Sequence, residues 1–281
     1  MKKKLIVSGC SFTDKEFVSA FSPEIDCSFP KWPEILADKL DMEVVNLAFC
    51  GAGNEYIYST LLDGIMNTPK EEIGLVLAAW SQAQREDYQK YVKNASGQFS
   101  YDDKFNKKMR WHNIRHNRQG DIFYWMIDTL RKYISFQQLC KSYNIPYRQF
   151  QMIPAFEGYL HGLMKLDQEI FDNLDNQDFN AKYEYKPILR DRDEDKKKIL
   201  ELYLRYQEYI DEECFIGWPP TKVLGGHCIE HATMHSRKID AVYPDLVVSP
   251  HDMHPNKKGH EKIAEYLYTK ITLRNLNGQL V

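Results

Sequence analysis

The chain has 281 residues, of which 43% are hydrophobic and 27% charged, enough apolar content for one substantial core or for one core carrying a large insertion. A formal charge of −3 and a pI near 6.3 provide no general basic field for nucleic acid, and the Lys-rich pieces at Lys104 to Arg118 and Lys196 to Lys198 are local, as solvated faces are. No stretch approaches the roughly 20 apolar residues needed to span a bilayer, so neither a membrane nor a nucleic-acid partner is expected.

In chain order, Lys4-Leu5-Ile6-Val7 reads as a buried strand, and Gly9 then permits a sharp exit that leaves Ser11 at the strand's carboxyl end. The preceding Met1-Lys2-Lys3 superficially resembles a secretory leader, but the apolar run is too short and cleavage would remove Ser11. A helical pattern near 31–40 leads to a strand near 43–48, and a further helix near 54–67 leads to the apolar run at 73–80. Helical spacing returns near 120–143, a strand near 146–152, a charged helical stretch near 193–213, a strand at 245–249 and a last helix near 256–271. Alternation of this kind predicts a parallel sheet with helices on both faces and its crevice at the strands' carboxyl ends. The connection from the third strand to the strand at 245–249 exceeds an ordinary loop, and the excess, at about 90–240, reads as a cap or lid inserted into a single domain spanning 1–281.

Two motifs at opposite ends carry chemistry. Gly9-Cys10-Ser11-Phe12-Thr13 offers a hydroxyl, and Asp252-Met253-His254-Pro255 offers an imidazole and an acid just before the last helix. A serine hydroxyl becomes a useful nucleophile when an imidazole can take its proton, and the imidazole works best when a further group fixes its tautomer. Alone, Ser11 reads equally as a cap and His254 as a surface residue; together they predict a serine hydrolase split across the whole sequence.

These residues resemble the SGNH/GDSL hydrolase superfamily, whose blocks supply a nucleophilic Ser, an oxyanion Gly, an oxyanion Asn and a catalytic His with its acid. Gly9 to Thr13 looks like the first block, with Cys10 where the family has Asp, and Asn46 to Asn54 looks like the second, making Gly51 the implied oxyanion donor. The third block departs: after Ile73 to Ala79 the family has Gly-x-Asn-Asp, whereas this chain reads Trp80-Ser81-Gln82-Ala83. Ser81 is the first expected substitute for the missing Asn and Gln82 the second, since either side chain can donate a hydrogen bond. In the fourth block the family spacing is Asp-x-x-His, but three positions before His254 stands His251; the nearest acid, Asp252, lies two before it and is expected to orient the imidazole through a tighter loop. His251 reads as a loop residue and His260 as packed beneath the loop.

The resemblance covers roughly residues 1–90 and 240–273 and implies a five-strand, flavodoxin-like, three-layer α/β/α fold. Phe215 to Pro220 and Leu224-Gly225-Gly226 look like segments of phage-type and environmental members with no assigned substrate. The implied activity is metal-independent, cofactor-free hydrolysis of a small acyl ester through an acyl-enzyme at Ser11, an O-acetyl group on a carbohydrate being one candidate. An acyltransferase would use the same residues, and a catalytically weak binding or virion-associated module would keep only the scaffold.

The remaining signals are weaker. His227, His231 and His235 follow one another at four-residue steps, a spacing that on a helix brings neighbouring imidazoles near one metal, but no paired Cys motif follows and polar helix residues explain them equally well. Six scattered cysteines fit reduced thiols in a cytoplasmic setting better than a disulfide framework. Among the plentiful aromatics, Trp111, Tyr124, Trp125, Tyr159, Tyr183, Tyr185 and Trp218 fall in the expected insertion, as core or as sugar-stacking faces. Oligomeric state is not legible.

Overall fold

The computed structural model describes residues 2–91, 109–114, 120–156, 192–235 and 242–275. Its centre is a five-stranded parallel sheet built from β1 (Lys4–Ser8), β2 (Glu43–Asn46), β3 (Ile73–Trp80), β6 (Tyr147–Gln151) and β7 (Phe215–Ile216), in the order β2-β1-β3-β6-β7. This is the flavodoxin-like order, in which the direction of winding reverses between β1 and β3; a crevice opens at such a reversal, beyond the carboxyl ends of the two strands. The register pairs Ser8, the last residue of β1, with Ala78, two residues before the end of β3, so the segments that follow the two strands, Ser11 in one and Ser81 in the other, leave the same edge of the sheet.

Strand periodicity sorts the core into two layers. Ile6, Val76, Ala78 and Trp80 point to the face covered by α2 (Asn54–Met66), α3 (Ile122–Ser142) and α4 (Arg192–Tyr206). Their alternates Leu5, Val7, Leu75, Leu77 and Ala79 point to the face covered by α1 (Trp32–Lys39), the short α5 (Ile229–Met234) and the last helix α6 (Lys257–Asn275). The near-continuous apolar reading of β1 and β3 follows from this double burial.

β6 reads polar, Tyr-Arg-Gln-Phe-Gln, yet it is a central strand because its buried amides are paired. Gln149 accepts from Trp80 Nε1 at 3.0 Å, and Gln151 donates to the carbonyls of Ser81 and Ile153, both at 2.7 Å, while accepting from the Tyr133 hydroxyl. Each group is thereby spared the cost of an unmet buried hydrogen bond.

One sequence expectation changes. The apolar run at 245–249 is not the fifth strand of the sheet: β8 (Val247–Ser249) pairs antiparallel with β9 (Asp252–Pro255), and the fifth position belongs to β7. A two-residue strand has no period to read, whereas a hairpin arm has the composition of a sheet strand. Within 90–240, the range expected to hold a cap, α3, β6, α4 and β7 pack into the sheet and its core and are scaffold. A separate antiparallel pair, β4 (Glu86–Tyr91) with β5 (Met109–Ile114), follows β3. Trp125 is core, Trp218 packs against Tyr203 and Phe215, and Tyr124 is exposed; Tyr159, Tyr183, Tyr185 and most of Lys104 to Arg118 lie outside the described residues.

α6 fixes the end of the chain against its beginning. Asn256 caps the helix, accepting from the Gly259 N–H at 3.1 Å while donating to the carbonyls of Asp245 and Val247, both at 2.9 Å. One turn on, the buried His260 accepts through Nδ1 from the Trp32 backbone N–H at 3.2 Å, serving an otherwise open donor in the first turn of α1. Burial, with the nearby Lys31 cation, holds His260 neutral and pushes its pKa down to about 3.

An unfolded histidine takes up its proton near pH 6.5, so this stabilisation is present above that pH and is lost as pH falls toward 3. Urea denaturation is expected to show His260→Asn, which keeps an acceptor without the titration, weakening the acid loss of stability by up to about 1.4 kcal/mol per pH unit below pH 6.5. An unchanged slope removes His260 from the acid response.

Candidate active site

At the exit of β1 the chain turns so tightly that a Cβ added at Gly9 would sit 2.5 Å from Thr13 Oγ1, which explains the glycine before the Ser11 turn. The turn closes with the N–H groups of Thr13 and Asp14 on the Cys10 carbonyl at 2.8 and 3.0 Å. Asp14 then reaches the loop after β2, accepting from the Cys50 N–H at 2.8 Å, and the Phe49 N–H donates to the Gly9 carbonyl at 3.1 Å. Asn46, the last residue of β2, adds a bond to the Thr13 carbonyl at 2.9 Å. These contacts seat Gly51 beside the Ser11 turn with a φ of +84°, a conformation that favours glycine. Among the described residues the N–H groups of Ser11 and Gly51 have no acceptor.

The other side of the site comes from β9. Asp252 and His254 are two apart on an extended strand and so project to the same side, while the intervening Met253 turns outward and is exposed. Here the two-residue spacing is what an extended backbone needs to bring both side chains to one side. His254 Nδ1 lies 2.5 Å from Asp252 Oδ1, and His254 Nε2 lies 2.7 Å from Ser11 Oγ. A carboxylate only accepts, so Nδ1 carries the proton and Nε2 is left to accept from the Ser11 hydroxyl. Ser11, His254 and Asp252 are thus brought together; His251 is exposed in the hairpin turn.

Ser19 was not legible in the sequence. Its buried hydroxyl donates to Asp252 Oδ2 at 2.5 Å and accepts from the Ser22 N–H at 2.9 Å, so both oxygens of the Asp252 carboxylate are held. A lone serine eight positions past Ser11 carries no pattern that would single it out. Burial pushes the Asp252 carboxyl up, but the donors Ser19 and His254 outweigh it and leave it below the usual carboxylate range. For His254 burial dominates: desolvation outweighs the raising effect of Asp252, Arg85 adds a further lowering, and the imidazole is held below its ordinary value and neutral at pH 7. The rings of Phe12 and Phe17 flank it at 5.0 and 4.3 Å.

The third block is divided. Ser81 is fully buried, with its backbone N–H on Asn54 Oδ1 at 2.8 Å and its hydroxyl sealed from solvent without a hydrogen-bond partner among the described residues. Gln82 is only half-buried, and its Oε1 accepts from Arg85 Nε at 3.2 Å. Arg85, also missed, donates through a terminal nitrogen to the Ala52 carbonyl at 3.1 Å.

Of the three histidines in series only two meet among the described residues, the rings of His231 and His235 lying 4.6 Å apart. His227 pairs with the Tyr266 hydroxyl at 2.5 Å, His235 faces Glu230 at 3.3 Å, and α5 spans only six residues, too few to carry all three. Among the described residues no three His, Cys, Asp or Glu side chains gather as a metal site, no helix is long and apolar enough to cross a membrane, and no disulfide joins any of the six cysteines.

The chain is similar in structure to a lipolytic protein of the G-D-S-L family from Desulfitobacterium hafniense DCB-2, with 11% identity over 95% of this chain and 99% of that one and a TM-score of 0.47. It is also similar to a carbohydrate esterase described as having divergent catalytic and non-catalytic binding functions, with 12% identity, 96% and 68% coverage and a TM-score of 0.40. A third likeness is to an acetyl xylan esterase from the rumen bacterium Butyrivibrio proteoclasticus, with 13% identity, 98% and 64% coverage and a TM-score of 0.39. No family model matches the sequence, and no curated protein does.

In an NMR titration His254 is expected to protonate below pH 6.5, and Asp252→Asn to lower its midpoint further, because the acid's raising effect is lost while burial remains. Ser19→Ala is expected to raise the Asp252 pKa by removing a donor to the carboxylate. A His254 midpoint above 6.5 contradicts this balance.

Proposed function

We propose that the chain is a serine ester hydrolase of the SGNH type, acting on small acyl esters through an acyl-enzyme at Ser11. The observation that carries this reading is the continuous chain of contacts from Ser11 Oγ to His254 Nε2 at 2.7 Å and from His254 Nδ1 to Asp252 Oδ1 at 2.5 Å. Three scattered polar side chains have no packing reason to align in this order, whereas nucleophile, base and orienting acid require it.

In the proposed reaction Ser11 Oγ attacks the ester carbonyl as its proton passes to His254 Nε2. The tetrahedral intermediate collapses, the alcohol leaves with that proton, and the acyl group remains on Ser11. Water then attacks the acyl carbon while His254 takes its proton, and the proton returns to Ser11 Oγ as the carboxylic acid departs. Asp252 stays ionised and steadies the imidazolium formed in each half. In this reading the open N–H groups of Ser11 and Gly51 receive the oxyanion, and Gln82 is the further donor in place of the family's Asn. No step calls for a metal or cofactor, since the imidazole activates the nucleophile.

Ser11 is only 5% exposed and phenylalanine rings crowd His254, which favours a small acyl group over a long chain. An O-acetyl group on a carbohydrate is the first natural substrate to try. The same acyl-enzyme could pass its acyl group to an acceptor hydroxyl, which a transesterification assay with added alcohol would show.

The test is labelling by a fluorophosphonate together with turnover of p-nitrophenyl acetate. Stoichiometric labelling at Ser11 is expected. Ser11→Ala should abolish it and lower kcat by roughly a thousandfold or more with an unchanged melting temperature, His254→Ala should be comparably damaging, and EDTA should change nothing. A folded protein that neither labels nor turns over any ester is a binding module that keeps this scaffold, and ends the hydrolase reading.

A further inference from the structure

Resting on that reading, we infer that Arg85 is a positioning residue that fixes the Gln82 amide so that its nitrogen end donates to the oxyanion. A guanidinium has five N–H donors and no acceptor, so the Gln82 side chain can meet Arg85 Nε only through its oxygen. The contact of 3.2 Å therefore decides which way the amide points. Its Nε2 has no acceptor among the described residues, and it is not one of the polar atoms sealed from solvent. The amide donor of set direction lies in the turn that follows β3, the strand paired with β1, whose end carries the Ser11 turn.

Arg85 is itself fixed. Its backbone N–H closes a turn onto the Gln82 carbonyl at 3.4 Å, which brings the two side chains to one side, and its terminal nitrogen holds the Ala52 carbonyl at 3.1 Å. Ala52 follows Gly51, so one side chain ties together the two loops that carry the oxyanion donors. No carboxylate of the described residues lies within ion-pair distance of Arg85, leaving its geometry to these neutral oxygens. Asp87 lies in the same sequence segment but spends its oxygens on the N–H groups of Gly53 and Tyr56, at 2.9 and 3.0 Å. A planar fork holding two carbonyl-type oxygens at once is a task lysine does not reproduce.

The experiment is a double-mutant cycle on p-nitrophenyl acetate with Gln82→Ala, Arg85→Met and the pair. Gln82→Ala is expected to lower kcat about a hundredfold with little change in KM, as loss of one oxyanion donor does. Arg85→Met should lower kcat tenfold or more, again at nearly constant KM, and the double variant should match Gln82→Ala within about twofold, because one residue acts through the other. Arg85→Lys, the variant to use if Arg85→Met fails to fold, should resemble the loss rather than the wild type. Independent, multiplying losses overturn the inference, as does a wild-type kcat in Gln82→Ala or an Arg85 effect confined to KM, which would make Arg85 a substrate contact. Failure of the hydrolase reading is separately recognisable, because Ser11 in the wild type would then neither label nor turn over ester.

Discussion

One hydrogen bond, from the Ser11 hydroxyl to His254 Nε2, joins positions 243 residues apart, and most of the architecture serves to make it possible. Ser11 is held by the turn after β1 and by the β2 loop bound to it through Asp14, Asn46 and the Gly9 carbonyl. His254 is held by a hairpin that leads into α6, and α6 is pinned to α1 by its apolar face and by His260 on the Trp32 N–H. The parallel sheet stands between these two supports. Because both are anchored in the same core layer, the distance between hydroxyl and imidazole is set by rigid packing and not by the loops alone.

The electrostatics of the site follow from depth. Burial disfavours charge on both His254 and Asp252, yet the two respond in opposite senses. Asp252 keeps its charge because Ser19 and two donors from His254 meet its oxygens, whereas His254 loses the contest with desolvation and stays neutral. A neutral imidazole beside an ionised acid is the arrangement a general base needs at pH 7. Arg85 contributes at longer range, lowering His254 while its own donors are committed to Gln82 and Ala52.

Departures from the SGNH/GDSL pattern that the sequence resembles have separate physical explanations. The shortened Asp-x-His spacing is compatible with a strand, since alternate residues share a side. Cys10, where the family has an acid, is fully buried in the layer with Leu5 and Val7 and has packing as its role. In the third block the backbone of Ser81 is consumed by Asn54 and Gln151, while Gln82 is half-buried with its side-chain oxygen on Arg85.

The sequence by itself determined the parallel α/β layering, because strand and helix periods are local properties of apolar spacing, and it brought forward Ser11, His254 and Asp252 because each lies in a short motif next to a predicted strand. It also marked Gly51, where the backbone conformation demands glycine. The tertiary structure alone decided the rest. Whether an apolar run such as Val247–Ser249 joins the sheet or forms a hairpin depends on which edge is free, and a two-residue strand such as Phe215–Ile216 has no period to read. Ser19, Asp14 and Arg85 act through hydrogen bonds to residues far off in the chain or across a loop, and nothing in the residue types around them encodes such partners. Ser81 and Gln82 are neighbours with similar donor chemistry; packing alone buried one and left the other open, since burial is a property of the assembled layers.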